Sequence, residues 1–194
     1  MKPYKFEPYL KTTIWGGYQI APFKGIFNAQ PNVGESWEIS GVPGHESVAI
    51  NRGLVNDVDE GLTLVELIDK YKELLVGKKI YKKFGNQFPL LVKFIDSRQD
   101  LSVQVHPDDK LAMERHGCAG KTEMWYTYFV VHRVVVQVAQ QIDFHCDSFV
   151  IVVCLWGNAN INGIEIRQGE TILVPACENI LYIFGNATFL TATM

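Results

Sequence analysis

The chain has 194 residues and a mass of 22.0 kDa, enough for one substantial core or two small modules. Its 18 Lys+Arg and 21 Asp+Glu leave a formal net charge of −3. This argues against a nucleic-acid partner, because neutralising phosphates needs a basic face. Hydrophobic content of 47% with 20% charged residues excludes disorder, and 12% aromatics with 16 Gly and 8 Pro point to a β-rich, turn-rich globular chain.

Met1 to Tyr9 has no apolar core of a secretory signal. The most apolar tract, Phe149 to Trp156, is far shorter than the ~20 residues that span a bilayer. The expectation is a soluble, cytoplasmic protein with no membrane partner. Cys118, Cys146, Cys154 and Cys177 form no CxxC pair. They are expected as buried free thiols, with a disulfide pair left open and a Cys-based zinc knot disfavoured.

In chain order, the opening residues read as short strands with turns at Trp15-Gly16-Gly17 and Pro31-Asn32-Val33-Gly34, and Glu35 to Ser40 reads as a strand. Thr63 and Glu66 make a T-x-x-E capping box. Leu64, Leu67, Ile68, Tyr71, Leu74 and Leu75 follow at helical spacing, so a packing helix is predicted over 63–76, stopped by Gly77. Phe88 to Ile95 reads as a strand. Leu101 to His106 reads as another, with Ser102, Gln104 and His106 on one face. Pro107 opens a short helix over Asp108 to His116, Gly117 and Gly120 bracket a loop, and a strand starting at Lys121 puts Lys121 and Glu123 on one face.

Lys121 to Trp156 contains neither Gly nor Pro. It is too long and too β-prone for one strand, so turns are expected near Gln140 to Asp143 and Cys146 to Ser148. Further turns are expected at Gly157 to Asn160 and at Asn162-Gly163, the latter a two-residue hairpin signal. Three or four short strands are expected around Gly169, Pro175 and Gly185. The fold class is therefore all-β with minor α.

The densest chemistry lies between Ser102 and Glu123. An imidazole, an amide oxygen and a carboxylate on adjacent strands form an N/O donor set that suits Zn²⁺. Gln104 and His106 can grip one ion from the same strand face, and Glu123 joins them if its strand lies alongside. The same spacing also fits a strand-end His106 hydrogen-bonded to Asp108 or Asp109. Ser102 and Lys121 would line the adjoining pocket, where a hydroxyl and an ammonium can hold an anionic group such as phosphate. Glu38, Asp108 and Asp109 are read as surface-strand and helix-cap acids, and His45 and His116 as surface histidines. His132 is read as a core or interface residue and His145 as a solvated turn residue.

Ser102-Val103-Gln104-Val105-His106-Pro107-Asp108-Asp109 and Gly120-Lys121-Thr122-Glu123-Met124-Trp125-Tyr126 together resemble the paired signature of the type I mannose-6-phosphate isomerases (phosphomannose isomerases). Ile14-Trp15-Gly16-Gly17 and Gly34-Glu35-Ser36-Trp37-Glu38-Ile39-Ser40 resemble the family's N-terminal motifs, and Ile166 to Ala176 resembles the end of its second cupin module. The resemblance implies cupin-type jelly-roll β-barrel modules. Residues 1–127 would be a partial N-terminal metal-binding module, and 128–194 a C-terminal module without a metal site, Ile180 standing where a ligating His would be. It also implies a zinc-dependent isomerase interconverting mannose 6-phosphate and fructose 6-phosphate. By position, Gln104, His106 and Glu123 match metal ligands, and Ser102 and Lys121 match residues near the sugar phosphate. Lys121 is left as the catalytic candidate.

The family's long middle segment supplies a fourth ligand, a His, and an Arg implicated in catalysis, and neither has a matching position here. Trp125-Tyr126 runs almost directly into Tyr128-Phe129-Val130-Val131, as an internal deletion joining two strands would leave it. The alternatives are a non-catalytic cupin keeping a weak metal or sugar-phosphate pocket, and a degenerate product self-associating through exposed strand edges.

Overall fold

A computed structural model describes residues 1–50, 58–101, 104–118, 120–121, 123, 133–144, 147–178 and 180–194. Eleven strands are described in two antiparallel sheets. In the smaller, β2 (Tyr9–Gly17), β3 (Val33–Ser40) and β5 (Leu91–Ile95) lie in the order β2-β3-β5. The larger runs β4 (Ala49–Ile50), β1 (Tyr4–Phe6), β10 (Thr171–Val174), β8 (Val150–Ile161), β11 (Ile180–Thr193), β6 (Arg133–Val136). In addition, β7 (Ala139–Asp143) pairs with β11, and β9 (Ile164–Arg167) with β8. The mostly-β expectation holds. Barrel closure does not: β4 and β6, at the two ends of the larger sheet, are not paired with each other.

The N-terminal strands complete the sheet built by the C-terminal half, with Tyr4 opposite Leu173 and Lys5 opposite both Ile172 and Ile50. One core follows from this. Tyr4, Ile39, Leu67, Phe149, Ile151 and Leu173 pack together beneath the helices. A second core, including Val152, Ile161, Ile166 and Phe189, lines the inner face of the larger sheet.

The predicted helix starts where its capping box requires: the Thr63 side chain accepts from the Glu66 N–H and the Glu66 carboxylate from the Thr63 N–H. It ends earlier than its apolar spacing suggests. Following the one-turn α1 (Ile20–Phe23) much earlier in the chain, α2 (Leu64–Tyr71) stops at Lys72, whose φ is +51°, and the chain resumes as α3 (Glu73–Val76) and α4 (Lys78–Phe84). The break lets Leu67, Ile68, Leu75 and Val76 all face one core. Gly77, at φ +94°, passes so close to Asp147 that a Cβ there would sit 2.4 Å from its carbonyl oxygen.

Asn162-Gly163 forms the expected two-residue turn between β8 and β9, both residues at positive φ (+48° and +88°) as a type I′ hairpin needs. Other turn expectations are corrected. Residues 140–143 belong to β7, and the break falls instead at Gln137-Val138, where the Gly185 N–H donates to the Val138 carbonyl at 3.0 Å. Gly157 to Asn160 is not a turn but part of β8. Gly157 sits at φ +80° beside a register shift between Thr188 and Phe189, so its glycine serves a bulge. Gly185 likewise lies inside the long β11. Of the described cysteines Cys154 is a buried free thiol, whereas Cys118 and Cys177 are exposed, contrary to expectation. No helix among the described residues is long and apolar enough to cross a membrane.

Candidate functional site

The signature residues are brought together by α5 (Asp109–His116). Asp108 caps it, its carboxylate accepting the Leu111 N–H at 2.8 Å, and Gly117 ends it in the left-handed conformation. Asp109 reaches past the helix to accept the Gly120 N–H at 2.9 Å. Gly120 lies against the helix start, where a Cβ would come within 2.6 Å of the Asp108 carbonyl carbon. The second half of the signature is thereby folded back over the first.

The result is a contact trio. His106 Nε2 lies 3.0 Å from Glu123 Oε2, and the Lys121 ammonium contacts Glu123 Oε1. Glu123 is half-buried between His106 and Lys121, and His106 is also half-buried, while Lys121 is about half exposed. The partner of His106 is therefore Glu123. Asp108 and Asp109 are occupied in capping and in holding Gly120.

Gln104 is exposed. Ser102, His132 and His145 lie outside the described residues. Leu101 and residues 104–108 carry no regular secondary structure, so the expected strand alternation does not position Gln104 and His106, and Lys121 and Glu123 are likewise not in a strand. Among the described residues, no three His, Cys, Asp or Glu side chains converge as a metal-binding group. The donor set present is the His106–Glu123 pair, with Gln104 two residues away.

Glu38, expected on a strand surface, is buried. Both its oxygens accept from Lys24 Nζ, at 2.8 and 2.9 Å, and Oε1 accepts from Ser36 Oγ at 2.6 Å. Burial pushes its carboxyl above the ordinary range against the opposing pull of Lys24. Lys24 also donates to the Gly169 carbonyl, and Lys5 pairs with Glu170 at 2.6 Å. The four side chains surround a cavity of about 60 Å³ between the N-terminal segment and β10. Nothing in the local sequence signals this cluster, because Lys24 is fourteen positions from Glu38, and Gly169 and Glu170 lie more than a hundred positions from the lysines they meet. His45, exposed as expected, stacks on Tyr9 (4.5 Å between ring centres) and meets Trp37 edge-on.

The family model described as "Phosphomannose isomerase type I, catalytic domain" matches residues 4–125. Mannose-6-phosphate isomerase ManA of Bacillus subtilis is 38% identical over 126 residues, covering 64% of this chain and 36% of the relative. Mannose-6-phosphate isomerase of Streptococcus mutans is 37% identical over 125 residues, again 64% and 36%. The chain thus matches little more than a third of the length of these curated relatives. Among solved structures, a putative mannosephosphate isomerase from Archaeoglobus fulgidus superposes with a TM-score of 0.78 at 19% identity, covering 100% of this chain and 97% of that one. The Salmonella typhimurium mannose 6-phosphate isomerase bound to substrate (f6p) and a zinc atom gives 0.76 at 12% identity, covering 98% and 99%.

The fold is that of the cupin-type β proteins exemplified by these isomerases. With a family model matching most of its length and the signature trio in contact, the chain belongs to the type I phosphomannose isomerase family.

Proposed function

We propose that this chain is a zinc-dependent aldose–ketose isomerase interconverting mannose 6-phosphate and fructose 6-phosphate, working in the cytoplasm. The carrying observation is the contact of His106, Glu123 and Lys121. The donor set fits zinc: the 3.0 Å between His106 Nε2 and Glu123 Oε2 is close to the roughly 3.4 Å separating two ligands of a tetrahedral ion with bonds near 2.1 Å. Gln104, His106 and Glu123 would hold the metal. Bound there, zinc supplies Lewis-acid polarisation of sugar oxygens as a proton passes between C1 and C2.

The chain's own residues supply the rest. Lys121, exposed and tethered only at its tip, is free to exchange the Glu123 carboxylate for the substrate's phosphate, and Ser102 is assigned to the same anion. In this reading residues 1–127 carry the metal module and 128–194 a cupin-like module without metal.

A second reading, a non-catalytic cupin that binds metal or sugar phosphate, is favoured by the lack of positions matching the family's further His and Arg. A coupled isomerase assay beside metal analysis separates the two. The expected result is turnover with about one equivalent of zinc, both lost in His106→Ala and Glu123→Ala. A folded, zinc-loaded protein without turnover overturns the enzyme and leaves the binding module; no zinc uptake overturns the zinc enzyme, and no uptake of zinc or sugar phosphate overturns both.

A further inference from the structure

The two halves of the signature touch at two places. One is the His106–Glu123 contact at 3.0 Å. The other is the hydrogen bond from the Gly120 N–H to Asp109 Oδ1 at 2.9 Å. The arms between them are equal, three residues from His106 to Asp109 and three from Gly120 to Glu123. We infer that, given the metal site proposed above, Asp109 is its positioning residue: through Gly120 it holds Glu123 across from His106, and so sets how tightly the site grips a divalent cation.

Two independent features tie Gly120 to the start of α5. The first is the hydrogen bond itself, whose acceptor is a carboxylate; charge-assisted bonds of this kind are roughly twice as strong as neutral ones. The second is packing. A Cβ on Gly120 would lie 2.6 Å from the Asp108 carbonyl carbon and the Asp109 nitrogen, and 2.7 Å from the Pro107 carbonyl oxygen. All three are backbone atoms, with no flexible side chain to yield, so this close approach needs a glycine.

Neither arm has a ladder to keep it in register, because residues 104–108, 120, 121 and 123 belong to no helix or strand. The clasp between Asp109 and Gly120 takes that place. Without it the His106–Glu123 contact closes across the whole segment between them, α5 included, at a cost in chain entropy that the short arms avoid. Asp109 has a competing role as an acid in the first turn of α5, where negative charge favours a helix N-terminus. The two roles respond differently to substitution. Helix stabilisation follows the charge, and the clasp follows an acceptor oxygen. Asp109→Asn removes the first and keeps the second, whereas Asp109→Ala removes both.

Zinc affinity of the full chain, measured by competition with a chelating dye, tests the inference. Losing a group that supports metal ligands typically costs 10–100-fold in affinity. Asp109→Ala and Gly120→Ala should therefore each weaken zinc binding at least tenfold, and the double substitution little more than either alone. Asp109→Asn should stay within about threefold of the wild type. The metal-free protein supplies a second readout: in Asp109→Ala the Gly120 amide should exchange faster with solvent, and the His106 ring nitrogen resonances should move. Asp109 is exposed, so its variants should remain folded, which circular dichroism checks. If either Asp109→Ala or Gly120→Ala unfolds, the other carries the test. Equal losses in Asp109→Ala and Asp109→Asn would assign the effect to helix charge and overturn the clasp. So would unchanged zinc affinity in a folded Asp109→Ala. A wild type that takes up no zinc removes the metal site proposed above; the clasp then stands if the His106 resonances move in metal-free Asp109→Ala, and falls if they do not.

Discussion

Replacing Lys24 by Met would test the physics of the buried pair most directly. The substitution keeps most of the aliphatic stem and removes the ammonium, which lies over the Phe94 ring, 5.2 Å from its centre, together with its hydrogen bonds to Glu38 and the Gly169 carbonyl. Lys24 and Glu38 are 5% and 4% exposed, so the pair is shielded from bulk water. Breaking a buried pair from one side costs about 3–5 kcal/mol, because the remaining charge is left uncompensated. That cost depends on pH with a definite sign. Burial already raises the Glu38 carboxyl in the wild type, and losing Lys24 raises it further. Between the unfolded value and this raised folded value the folded state holds more protons than the unfolded, so stability falls as pH rises across the window.

The slope approaches about 1.4 kcal/mol per pH unit for one proton. Urea unfolding of wild type and Lys24→Met, followed by tryptophan fluorescence, should therefore give the full penalty near about pH 8 and a clearly smaller one near about pH 5. Adding Glu38→Gln to Lys24→Met should flatten that dependence. A penalty below about 1 kcal/mol, or one equal at all pH values, would refute the account of an uncompensated buried charge.

Two further outcomes follow from single contacts. Gly157→Val would place a Cβ 2.0 Å from the Asn186 carbonyl oxygen at a φ of +80°; a loss of more than about 3 kcal/mol is expected in thermal melts, and a near-neutral effect would deny the bulge its role. Tyr4→Phe removes a 2.8 Å hydrogen bond to Asp59, which also accepts from Tyr71 and Lys70. About 2 kcal/mol of stability should go with it. Burial alone would raise the Asp59 carboxyl, but these donors together hold it below its ordinary value. Their contribution is therefore present above the ordinary carboxylate range and lost as pH falls through the lowered value. The Tyr4→Phe penalty should fade in acid titrations, and a constant difference would contradict this.

Local chemistry was legible and distant pairing was not. The Thr63–Glu66 box, the Asp108 cap with its Gly117 stop, and the Asn162-Gly163 turn all depend on residues within a few positions of one another, and each stands as read. The end of α2 did not, because nothing near Lys72 announces that Leu75 and Val76 must turn to meet the same core. Gly157 offered two meanings, turn or bulge, and only its partner strand β11 decides between them. Glu38 looked like a solvated strand acid until Lys24, fourteen positions earlier, was brought over it.

At the candidate site, His106 does meet Glu123, but by a different route from the one expected. Alternation along two strands was to align them. Instead the Asp109–Gly120 hydrogen bond folds an irregular segment back across a helix start.

The pairing of β1 with β10 also sets an order of assembly. Tyr4 is made well before Leu173 and finds its place opposite it only when the long segment between them has been made. At synthesis rates of about 5–20 residues per second, β1 waits on the order of ten seconds for β10. During that wait the apolar side chains of Tyr4 and Phe6, later buried, have only the two-residue β4 to pair with. The ring that their pairing closes runs from Tyr4 to Leu173. Because closure entropy grows only with the logarithm of loop length, the chain between these strands can vary in length at small cost to the closure itself.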